Sequence, residues 1–217
     1  MEIFDSTKSL VENLSYLSGP IIALLGFGAI IQIRIAKKAI VVNSKRQAAE
    51  LATKQIDKYS EQIIPIQNVL DNLEKNLKFE RTKYSELKDF TCDEIEQKIS
   101  KEEFTKNLEH GYVNLEAINP VLNAMDTFST YFVKGVADEE IAFSSVGSTY
   151  CYSIEKYHFD ICMARSEEDT MIYHNLVELY NIWNPRLKSE KLSKELERKK
   201  QEIRNLKLSK IDILGTK

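Results

Sequence analysis

Residues 18–35, SGPIIALLGFGAIIQIRI, contain one strongly polar side chain, Gln32, and no charge before Arg34. A helix needs about 20 mostly apolar residues to cross about 30 Å of hydrocarbon, and residues 16–35 reach that length if Gln32 and Arg34 lie at the interface. The run is therefore expected to be a single transmembrane helix. Before it stand Glu2, Asp5, Lys8 and Glu12; after it come Arg34, Lys37, Lys38, Lys45 and Arg46. The positive-inside rule places that second group in the cytoplasm, so the expectation is an inner-membrane protein with its N-terminus outside and its bulk cytoplasmic. The start lacks the basic region and small-residue cleavage site of a removable signal peptide, so the segment should be retained as an anchor.

Residues 1–17 place Phe4, Leu10, Val11, Leu14 and Leu17 near one helical face, which suits an interfacial lead-in. Ser15, Gly19 and Ala23 fall four apart, and Gly26 and Gly28 add further bare surface. Such small residues let transmembrane helices approach closely, although glycine is frequent in membrane helices in any case. They are candidate packing positions between copies.

No turn signal follows the span until Pro65. Taking Val42 as position a, the a and d sites read Val42, Lys45, Ala49, Ala52, Ile56, Tyr59, Ile63, Ile66, Leu70, Leu73, Leu77, Glu80, Tyr84 and Leu87. Lys45 and Glu80 alone break this 3–4 repeat. Residues 36–90 are thus expected to form a coiled-coil-like stalk, about 70 Å long over residues 42–87 at the α-helical rise, with a kink near Pro65. A seam does not say whose helix fills it. It could be met by another copy or by the chain's own last helix folded back.

Gly (7) and Pro (4) are too scarce for the turns of a sandwich or barrel, which makes the chain all-α. Three cysteines, Cys92, Cys151 and Cys162, suit buried thiols in a reducing compartment. Residues 100–185 read as a small helical domain. Ser100 and Glu103 form a capping box, Pro120 should bend the helix they open, and Gly135 should end it. Asp138, Glu139 and Glu140 then open a short helix that Gly147 or Ser148 should stop. Further helices are expected over residues 149–164 and 166–183, with Asn184-Pro185 breaking the last from a basic amphipathic C-terminal helix in residues 186–217.

The net charge of −3 conceals an acidic middle and a basic tail. Residues 109–185 hold twelve acidic side chains against three basic, and residues 186–217 eleven basic against five acidic. In the tail, Lys191, Lys194, Arg198, Lys199, Lys200, Arg204 and Lys207 suit a solvated face or an anionic partner, either lipid headgroup or nucleic acid. It has no stacking aromatics of the kind a single-strand binder uses.

Catalytic patterns are missing: no phosphate-cradling glycine loop, nucleophile elbow or Ser/His/Asp order is present. His158, Cys162 and His174 lack the spacing of a zinc site, and first-turn placement accounts for the Asp138 to Glu140 carboxylates. No enzyme activity, cofactor, metal or small-molecule substrate is expected. Asn123 and Asp126 are three apart on an otherwise apolar helix, and Arg165 is in reach of them. The three read as a buried structural polar cluster that fixes helix register, with a ligand site as the alternative.

The block VLNAMDTFSTYFVKGVADEEIAFSSV resembles a family of bacterial proteins of unknown function through Leu122, Asn123, Met125, Asp126, Phe128, Phe132, Gly135, Asp138 and Glu139. Arg165, Tyr173, Leu176 and Trp183 look like that family's later positions, so the likeness covers residues 109–183 and the anchor layout. It implies one membrane span, a coiled helical linker and a small cytoplasmic helical domain. Some members look like accessory or effector proteins of anti-phage systems, including retron-type systems. The resulting expectation is a membrane-anchored interaction or effector protein that self-associates and binds a protein partner. The alternatives are a passive membrane tether or scaffold and a nucleic-acid-binding component using the tail.

Overall fold

The computed structural model describes residues 2–78, 89–165 and 171–208, with the side chains of residues 2–21, 23, 110–117 and 207–208 outside the described part. Six α-helices are described: α1 Glu2–Lys58, α2 Ile64–Asn76, α3 Cys92–Glu96, α4 Lys101–Val133, α5 Glu139–Ala164 and α6 His174–Leu208. No described residue lies in a strand, so the chain is all-α. It divides into two compact units, Met1–Ala48 and Ala49–Lys217.

In the first unit the whole described length is helix, part of α1. Among the described residues no helix is long and apolar enough to cross a membrane. The side chains of residues 18–21 and 23, which open the apolar run, lie outside the described part, as does that of Ser15, so the candidate packing positions Ser15, Gly19 and Ala23 fall there.

The second unit is held by caps that the sequence announces. Ser100 Oγ accepts from the Glu103 N–H at 3.2 Å and Asp138 Oδ1 from the Ile141 N–H at 3.2 Å, each satisfying a donor that a helix start leaves orphaned. Thr91 does the same for α3 by accepting from the Glu94 N–H. Gly135, at φ +64°, follows the end of α4, and the Val136 and Ala137 amides return to the Tyr131 carbonyl.

Two expected breaks are not breaks. α5 runs straight through Gly147 and Ser148. A Cβ on Gly147 would stand 2.9 Å from Phe143 Cδ2, so this glycine makes room for the ring one turn earlier and does not stop the helix. α6 likewise continues through Pro185. Pro185 is exposed, and its neighbours clamp the helix to α5: Trp183 is fully buried and donates to Glu139 Oε1, while Arg186 pairs with Glu139 and Glu140 and lies 3.7 Å over the Phe143 ring. That tertiary hold outweighs the proline's local cost.

Around Trp183 the core is aromatic. Its ring centroid lies 5.1 Å from Tyr150, 5.8 Å from Phe143 and 6.0 Å from Phe132, and Phe128 links this cluster to Tyr59 at 5.0 Å. Each such pair contributes about 0.5–1.5 kcal/mol beyond the area it buries.

The stalk expectation needs correction. From Ala49 onward the seam belongs to the compact unit, and α4 and α5 meet it. A π-helical turn, Tyr59–Ile63, separates α1 from α2 and takes one residue more than an α-turn. Pro65 opens α2 beside this turn, at a position that tolerates its missing N–H. The extra residue rotates the inward stripe, so that Ala52, Gln55, Tyr59, Ile63, Gln67, Leu70 and Glu74 are buried, whereas the expected Ile66, Leu73 and Leu77 are exposed. Polar partners explain the exchange. Ser153 donates to Gln67 Oε1 at 3.2 Å, and Lys156 on α5 pairs with both Asp71 and Glu74, the latter at 3.1 Å. The repeat positions Glu80, Tyr84 and Leu87, and residues 166–170 at the start of the helix expected over residues 166–183, lie outside the described residues.

Candidate functional site

Two surfaces of the molecule and one buried cluster carry the residues singled out by sequence. The first surface is the apolar stretch of α1 over residues 22–35. Ile22, Leu24, Leu25, Phe27, Ile30, Ile31, Ile33 and Ile35 are all exposed, from 44 % at Ile31 to 73 % at Leu24. Successive helical residues point about 100° apart, so these positions cover every side of the helix. A Cβ on Gly26 or Gly28 would meet nothing within 4 Å. Soluble monomers rarely expose continuous apolar area beyond a few hundred Å², and a helix that is apolar all round belongs inside lipid or an assembly. Arg34, Lys37 and Lys38, all exposed, stand at the C-terminal end of this stretch.

In the second unit the polar cluster is partly reassembled. Asp126 Oδ1 accepts from the Leu176 N–H at 2.9 Å, so a carboxylate on α4 caps the first turn of α6, where the helix dipole favours negative charge. Buried Arg165 donates from Nη1 to the Ile172 carbonyl at 2.7 Å. Both side chains therefore grip the entry to α6, around Tyr173, which sits at φ +53°. Asn123 is exposed on the outer side of α4, where its carbonyl accepts from Thr127. The apolar pattern of α5 gives no signal for the polar role of Tyr150. Tyr150 donates to the Leu176 carbonyl at 2.9 Å and is bonded to Ser129 at 2.7 Å, beside the Asp126 contact.

Burial pushes the Tyr59 hydroxyl up to about 12 and the Cys151 thiol up to about 12, and raises Cys162 further still. The three cysteines are free, and these two are poor nucleophiles at neutral pH. Among the described residues no group of three His, Cys, Asp or Glu side chains is placed to hold a metal ion. His158 is buried with Nδ1 3.0 Å from the Glu155 carbonyl, and His174 pairs with Glu178 at 3.3 Å.

The other surface is the later part of α6. Lys191, Lys194, Arg198, Lys199, Lys200 and Arg204 are exposed there, and the side chain of Lys207 lies outside the described residues. Interleaved with these cations, Leu192, Leu196, Ile203 and Leu206 are each more than half exposed. Beside the start of this stretch, Phe143, Ser144, Ser148, Leu187, Glu190 and Lys194 line an open groove of about 250 Å³.

No curated protein and no solved structure is significantly similar to the chain. A family model described as a domain of unknown function, DUF4760, matches residues 20–183. The match takes in the apolar run from Pro20 and stops at the core tryptophan Trp183, so the cationic end of α6 lies beyond it. With most of its length matched, the chain belongs to the DUF4760 family.

Proposed function

We propose that this protein is a single-pass inner-membrane protein, N-terminus outside, whose helical unit binds a protein partner in the cytoplasm and which acts through self-association in the bilayer. The observation that carries the reading is the all-round exposure of apolar side chains over residues 22–35, with Arg34, Lys37 and Lys38 at the C-terminal end of the stretch. Such a surface is stable only where water is excluded, and the basic flank supports the orientation. The described residues do not by themselves amount to a span, and the reading draws on residues 16–23 of the sequence for its length. The resemblance to membrane-anchored members associated with anti-phage systems supports an effector that disturbs the membrane when its packing changes.

Alkaline carbonate extraction and gradient flotation of the full chain test the anchor. Wild type should stay with the membranes, and Leu25→Lys combined with Ile30→Lys should release it, because each central lysine costs about 3 kcal/mol of insertion. Recovery of wild type in the soluble fraction would overturn the anchor. Effector and passive tether separate on Gly26→Leu with Gly28→Leu. The double variant should float, but an effector loses its toxicity to the host cell and a tether has none to lose.

A further inference from the structure

The exposed face of α6 beyond Leu187 has a heptad order of its own. With Ser189, Leu196 and Ile203 at a and Leu192, Lys199 and Leu206 at d, the face follows a 3–4 repeat over residues 189–206 that Ser189 and Lys199 alone break, about 27 Å of helix at the α-helical rise. Leu192 is 66 % exposed, Leu196 54 % and Ile203 53 %. The flanks identify the partner. Position g holds Lys188, Glu195 and Glu202, and position e holds Ser193, Lys200 and Lys207, so the charged pairs belong to the last two heptads. In a parallel, in-register pair each g residue faces the e residue five positions later on the other helix, which sets Glu195 against Lys200 and Glu202 against Lys207 in both directions across the dyad. An antiparallel pair would set g against g and e against e, glutamate facing glutamate and lysine facing lysine.

We infer that residues 189–206 form a parallel, in-register coiled coil with the same segment of a second copy of this chain. The present intrahelical pairs, Arg198 with Glu202 at 3.6 Å and Lys200 with Glu197 at 2.7 Å, are exposed and weak enough to be shared with or exchanged for interchain ones. Ser189 at a and Lys199 at d lower the stability of the pair, and Lys199 restricts its register, as a polar core position does. About two and a half heptads make a weak zipper, so its occupancy, though not its register, rests on the proposed membrane anchor to concentrate the copies.

Disulfide trapping of the full chain in native membranes tests this, in a Cys92→Ser background that leaves only the buried Cys151 and Cys162. Ile203→Cys, at a, should yield a cross-linked dimer on mild oxidation, and Gln201→Cys, at f, at least ten-fold less. Glu195→Lys with Glu202→Lys should suppress the Ile203→Cys dimer, and adding Lys200→Glu with Lys207→Glu should restore it. Equal trapping at 201 and 203, or indifference to the charge reversal, overturns the inference. So does a face that stays untrapped but is shielded from a water-soluble maleimide by anionic vesicles or by RNA, which would assign it to phosphate. Failure of the anchor reads separately: the 203 dimer would then form only at high protein concentration, from chain recovered in the soluble fraction.

Discussion

In residues 22–35 large apolar side chains are dense and exposed on every side, whereas in residues 52–74 they are sparser and a single stripe, with Tyr59, Ile63 and Leu70 in it, is buried. The difference lies in pattern. A helix apolar all round has no polar face to give to water and calls for a surrounding medium, whereas a striped helix calls for particular neighbours. The second stretch finds them in Phe128 and Met125 of α4 and in Ser153 and Lys156 of α5. Folding of the second unit should therefore be separable from the behaviour of the first, and that separation can be attacked by mutation.

The largest effect is expected for Trp183→Ala. It removes the ring that meets Tyr150, Phe143 and Phe132 and the donor to Glu139, and should cost about 4 kcal/mol in chemical denaturation followed by circular dichroism. Flotation of the variant should be unchanged. Loss of flotation together with stability would break the comparison. Alkaline titration comes next. Tyr59 ionises near pH 10 in the unfolded chain but holds its proton to about 12 when folded, so its stabilisation is complete below pH 10 and lost as pH rises to 12. That is about 2–3 kcal/mol from Tyr59, and Cys151, raised from 9 to about 12, extends the window down to pH 9. Tyr59→Phe should flatten this part of the profile. The smallest effect is that of Asp126→Ala, about 1–2 kcal/mol through loss of the cap on α6, with faster hydrogen exchange at the Leu176 amide as its signature.

Features written in one side chain and its nearest backbone were legible in the sequence. Ser100 and Asp138 cap where a polar residue before an apolar run should, and Gly135 ends α4 because few other residues adopt its φ. Breaks that depend on tertiary context were not. Pro185 and Gly147 look like stops, and only Arg186 over Phe143, or the Phe143 ring over Gly147, shows why the helices continue. Polar pairing was legible in part, since Asp126 and Arg165 converge on α6 while Asn123 faces outward. A hydrophobic repeat could not disclose that Gln67 and Glu74 would be buried in preference to Ile66 and Leu73, because their partners lie on α5, far along the chain.

The seven inward residues from Ala52 to Glu74 advance by three, four, four, four, three and four positions. Removing one residue inside the π-helical turn would convert that series to strict alternation of three and four, the signature of an uninterrupted α-helical seam. The turn thus has the form of a one-residue insertion in an otherwise regular helix. Ser60, Glu61 and Gln62 are all exposed, so the surplus residue can be any of the three. Deleting one of them should leave the same seven side chains facing inward, at a place where a single-residue deletion would ordinarily turn half a helix away from its core.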